Sequence, residues 1–104
     1  MTTLCIPEQR AFLGFDLLYN RVHAWCGPGV DKAEIHNWIQ ALDAIRKKTD
    51  DADWTLYCGH GSEGGGELII NMKEYLQRFL KVTSAAESRE QAIREMKELF
   101  PGFE

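Results

Sequence analysis

A histidine held between two glycines at the end of an apolar segment is the sharpest chemical signal in this 104-residue chain. Trp54-Thr55-Leu56-Tyr57-Cys58 is rich in β-formers and runs straight into Gly59-His60-Gly61. Glycine on both sides removes Cβ bulk, permits positive φ and lets the backbone turn tightly around the imidazole. Loops at the C-terminal ends of strands are where α/β folds place ligand groups. Imidazole is the commonest protein ligand for zinc. The same tripeptide also suits a plain turn whose glycines only shape the loop. Asp16 is the second candidate. It falls near the end of Ala11 to Leu18, AFLGFDLL, a run continuous enough to read as a strand buried on both sides. A carboxylate there is costly unless it is paired, hydrogen-bonded or metal-bound. Hydrogen bonding to backbone at the strand end is the simpler alternative. His23, in the loop after Tyr19-Asn20-Arg21-Val22, is the third. Taken alone it equally suits a solvated or hydrogen-bonded loop histidine. His36 falls on the polar side of a helix and reads as surface.

The elements that must position these residues follow from pattern. Leu4-Cys5-Ile6 is a short strand, and Pro7-Glu8-Gln9-Arg10 a turn in which Pro7 fixes φ. Cys26-Gly27-Pro28-Gly29 marks a loop. Asp31 and Glu34 form a capping-box pattern opening a helix that carries Ile35, Trp38, Ile39, Leu42 and Ile45. Arg46-Lys47-Lys48 suits the negative end of its dipole. A second helix takes up Leu68, Ile69, Met72, Tyr75, Leu76, Phe79 and Leu80. Ser88 with Gln91 is another capping box, opening a third helix that Pro101-Gly102 stops. The order is β-β-α-β-α-α, a single α/β domain over 1–104. Gly64-Gly65-Gly66 lacks the residues of a phosphate-binding loop and reads as a flexible approach to the second helix. Trp25, Trp38 and Trp54 sit on different elements, which favours packing over a stacking platform for bases.

Composition excludes several classes. The apolar share is 44%, ordinary for a folded domain, and the net charge is −4. Lysines and arginines scatter through the helices, so there is no basic footprint for nucleic acid. No stretch approaches a membrane span and no secretory leader is visible. Cys5, Cys26 and Cys58 form no CxxC, and an odd count without a leader points to reduced thiols and a cytoplasmic setting. Cys5 and Cys58 read as small apolar residues within strands.

These parts together resemble the C-terminal half of a metallo-β-lactamase-fold hydrolase. The segment Leu4 to Leu13, then Phe15-Asp16-Leu17-Leu18-Tyr19-Asn20, resembles the family's hairpin that delivers the aspartate bridging two metal ions; Asp16 matches that aspartate. Tyr57-Cys58-Gly59-His60-Gly61 resembles the strand and loop supplying the last metal-binding histidine, which His60 matches. Tyr19 to Trp25, the Trp38 to Ile45 helix and the tail to Phe103 are similar to one branch of the family. The resemblance covers essentially the whole chain, through the order and spacing of its parts. It implies His23, Tyr19, Trp25, Gly59 and Gly61 around the site mouth. The His-x-His-x-Asp-His loop and the further histidine of the family are absent from these residues, and Phe15 stands where the family commonly has glycine.

A catalytic zinc site takes about three protein ligands and an open position. Asp16 and His60 provide two, so the expectation is no metal in the isolated chain and zinc if another chain completes the site. The family's full fold is an αββα sandwich with two sheets face to face. Half of it leaves one apolar sheet face bare, which a lone molecule in water does not tolerate. The expected cover is a second copy, making an isologous homodimer. The alternative is a separate N-terminal half, which would restore a hydrolase acting on an ester, thioester or amide. The expected function is therefore a homo-oligomerising or binding half-domain, not competent as a hydrolase alone. A small-ligand pocket at the dimer interface, lined by the tryptophans and His23, is a third possibility.

Overall fold

The computed structural model describes residues 3–24, 32–49 and 53–103. Asp31, Cys26 and Trp25, each given a role above, lie outside them. The order expected from sequence is present: β1 (Leu4–Ile6), a 3-10 turn (Pro7–Gln9), β2 (Ala11–Tyr19), α1 (Lys32–Lys48), β3 (Thr55–His60), α2 (Glu67–Ala85) and α3 (Arg89–Leu99).

The sheet runs β1-β2-β3, with β1 antiparallel to β2 and β2 parallel to β3. Its register separates two faces. Cys5, Phe12 and Leu56 stand in one row, and Phe12 and Leu56 are buried against the helices. Leu4, Leu13 and Tyr57 stand in the next row, on the opposite face because strand side chains alternate. Leu4 is 50% exposed and Tyr57 43%. The helices cover one face of the sheet, and the apolar row on the other is open. Among the described residues β2 is thus covered on one side only, although its composition reads as buried on both.

α1 contributes Ile35, Trp38, Leu42 and Ile45 to the core, at the helical spacing expected. Trp38 is buried and its indole N–H donates to the Leu17 carbonyl at 3.0 Å, tying α1 to β2. Lys73 and Asp43 bridge α2 and α1 at 2.8 Å. α2 runs on five residues past Leu80, through Ser84 to Ala85. Thr83 spends its hydroxyl on the Phe79 carbonyl at 2.8 Å, which keeps a polar residue compatible with the helix. The Ser88 capping box forms: Gln91 N–H donates to Ser88 Oγ at 3.1 Å, and Gln91 Oε1 accepts from Glu87 N–H at 3.0 Å. No helix among the described residues is long and apolar enough to cross a membrane.

Candidate functional site

β2 and β3 lose step near their C-terminal ends. Leu13 pairs with Tyr57, Phe15 with Cys58 and Tyr19 with His60, so β2 carries extra residues against β3. Such bulges bend a strand and re-aim its side chains. Here Leu17, Leu18 and Tyr19 turn into the core, while Phe15 and Asp16 turn outward. Phe15 adopts φ 49°, the left-handed region that favours glycine. This is the position where the resembled family commonly has glycine: the backbone keeps the glycine-like conformation with a phenyl ring on it, 44% exposed.

The glycines around His60 have separate reasons. A Cβ on Gly59 would lie 2.5 Å from the Phe15 carbonyl oxygen, so β3 can approach the bulge only with glycine there. Gly61 has φ +96°, and its Cβ would lie 2.3 Å from the Asn20 carbonyl oxygen. Asn20 then clamps the loop. Its backbone N–H donates to the His60 carbonyl at 3.0 Å, and its side-chain amide to the Ser62 carbonyl at 2.9 Å. Tyr19, buried, stacks its ring on the His60 imidazole at 4.7 Å and 11°. Sequence reading did not single out Asn20 as the clamp. Its place directly after β2 was the available signal.

This scaffold sets His60 Nε2 3.7 Å from Asp16 Oδ1, with the two side chains 51% and 76% exposed. The gap is too long for a direct hydrogen bond. It is close to the spacing of two donors on one zinc, roughly 3.4 Å for bonds of about 2.1 Å at a tetrahedral angle. A metal fits the pair as two ligands and no further: among the described residues no group of three or more His, Cys, Asp or Glu side chains could hold a metal ion. Cys58, two residues before His60 in β3, adds no thiolate. Burial, and then the negative charge of Glu63, push its thiol up to about 11. The thiol lies 3.5 Å from the Ser62 carbonyl. The triglycine approach to α2 is also internally used. Gly64 exchanges backbone bonds with Leu56, and Gly65 N–H donates to the Glu67 carboxylate at 3.0 Å, which holds that carboxyl below its usual range.

The residues expected at the mouth divide. Tyr19, Gly59 and Gly61 surround His60. His23 is elsewhere, with its Nδ1 2.9 Å from the Tyr75 hydroxyl and its ring against Tyr75 and Phe103. Arg21 lies over the Phe103 ring at 5.6 Å, and Phe100 packs on both Tyr75 and Phe103. This aromatic corner fastens the C-terminal tail to α2. Burial and the charge of Lys97 hold the His23 imidazole below its ordinary value.

No protein-family model matches the chain, and no curated protein does. Among solved structures, the fold is similar to that of TMB-1, a metallo-β-lactamase, with a TM-score of 0.56 and 23% identity. The likeness covers 73% of this chain and 34% of that one, so this chain spans about a third of the length of the structure it matches. The three-stranded mixed sheet with three helices is an α/β half of the metallo-β-lactamase-type fold.

Proposed function

We propose that this chain is one half of a metal-dependent hydrolase of the metallo-β-lactamase type, not competent alone. It would present two ligands, Asp16 and His60, and an apolar sheet face on which a ligand-bearing half docks, whether joined to it or separate. The observation that carries the reading is the 3.7 Å approach of two exposed donors, held by a bulge, two close-contact glycines and the Asn20 clamp. A metal completed there would activate a water for attack on an ester, thioester or amide. Within this chain, Tyr19 and Asn20 orient His60, and the bulge aims Asp16. Among the described residues Cys5 and Cys58 are half-buried free thiols, and with the odd cysteine count this supports a reducing, cytoplasmic setting.

The test is a zinc titration followed by imidazole NMR. The chain alone is expected to bind zinc weakly through His60, losing it in Asp16→Ala and keeping it in His23→Ala. Zinc that ignores Asp16→Ala and His60→Ala would sink the reading.

A second reading has its own support. The open row Leu4-Leu13-Tyr57 is uncharged, so it is self-complementary, and two copies can cover each other without any other chain. The protein would then be a non-catalytic homodimer. Light scattering separates the two: twice the 11.9 kDa chain mass without metal favours the dimer, and chain mass alone removes it.

A further inference from the structure

The α2–α3 junction, remote from the Asp16–His60 rim in its lining residues, has the make-up of a second binding site. A cleft of about 280 Å³ there is walled by Phe79, Ala92, Ile93 and Met96, with His23 and Lys97 also lining it. Phe79, Ala92 and Ile93 line the neighbouring hollow of about 520 Å³ as well, so the apolar surface continues along the junction as one trough. The trough is then within the size range of small-molecule sites, roughly 300–1,000 Å³. Ile93 is 49% exposed at its edge, an isoleucine that the chain's own packing leaves half uncovered.

Charge selects the occupant. Lys97 makes no ion pair among the described residues, and neither Glu90 nor Glu98, which share its flank of α3, bridges to it. Its effect reaches His23, whose imidazole is held below its ordinary pKa by burial first and by that same positive charge second. Lys97 thus stands at one end of the trough outside any ion pair among the described residues, and Glu87 and Arg89 stand at the other end. We propose that the trough binds an amphiphilic monoanion: a straight-chain carboxylate whose alkyl body lies on Phe79, Ala92, Ile93 and Met96 and whose carboxylate meets Lys97.

Two magnitudes shape the test. Each methylene buried adds about fourfold to affinity. An exposed ammonium–carboxylate pair adds only about two- to fivefold. The full chain is titrated with hexanoate, octanoate and decanoate, reading the His23 ring resonances. Expected is saturable binding that tightens by about fifteenfold for every two methylenes. Lys97→Gln weakens binding about two- to fivefold. Ile93→Glu, at an exposed position that the fold tolerates, abolishes binding. The proposal is overturned by the absence of saturable His23 shifts. It is equally overturned by equal affinity for decyltrimethylammonium, or by unchanged binding in Ile93→Glu.

Discussion

His60 and His23 show the same side chain put to opposite uses. His60 is half-exposed between two glycines, stacked on a buried tyrosine, and faces a carboxylate at a distance that satisfies neither. His23 is half-buried, 2.9 Å from a phenol and edged by aromatic rings. The first region is a rim that backbone geometry holds ready for something external. The second is a corner where His23 is already engaged by the chain's own tail and α2. Investment differs too. Around His60 the fold accepts a left-handed phenylalanine and two glycine contacts, whereas around His23 it gains packing.

That contrast breaks first at the aromatic corner. Tyr75→Ala should cost about 4 kcal/mol in urea unfolding, since a buried ring joining α2, the tail and His23 is lost. Gly61→Ala should cost about 3 kcal/mol, combining positive φ with a backbone clash. If Asp16→Ala and His60→Ala prove as damaging, the rim is structural and the contrast fails; Asp16→Ala should stay within about 0.5 kcal/mol, and His60→Ala, which loses its stack on Tyr19, within about 1.5 kcal/mol. Cys58 sharpens the picture. With its thiol near 11 rather than the ordinary 9.0, iodoacetamide at pH 8 should alkylate it about 100-fold more slowly than an unperturbed thiol. The smallest effects concern His23 and Phe15. Because folding lowers the His23 pKa, its contribution to stability is present above pH 6.5 and falls away on acidification. His23→Gln should flatten that part of the stability–pH curve. Phe15→Gly should gain about 0.5 kcal/mol, relief of the left-handed strain exceeding the added freedom of the unfolded chain.

Element order was legible because the signals are local: a β-rich run into Gly-His-Gly, helical spacing of Ile35 to Ile45, a Ser88–Gln91 box. The Asp16–His60 juxtaposition followed from resemblance, since both sit at the C-terminal ends of neighbouring parallel strands. Three features did not follow. The bulge depends on how β2 meets β3, which the apolar run AFLGFDLL leaves open. The environment of His23 depends on Phe103, eighty residues on. The one-sided exposure of β2 depends on what is absent from the other face, and composition cannot distinguish a strand buried twice from one awaiting cover.

The most direct test of the central claim is zinc content and molar mass measured on the same gel-filtration fractions of the wild-type chain, loaded with zinc beforehand. A chain whose described residues offer only two ligands should shed its zinc on the column. One zinc retained per chain at monomer mass would mean that this polypeptide closes a metal site unaided, and would contradict its reading as half of one.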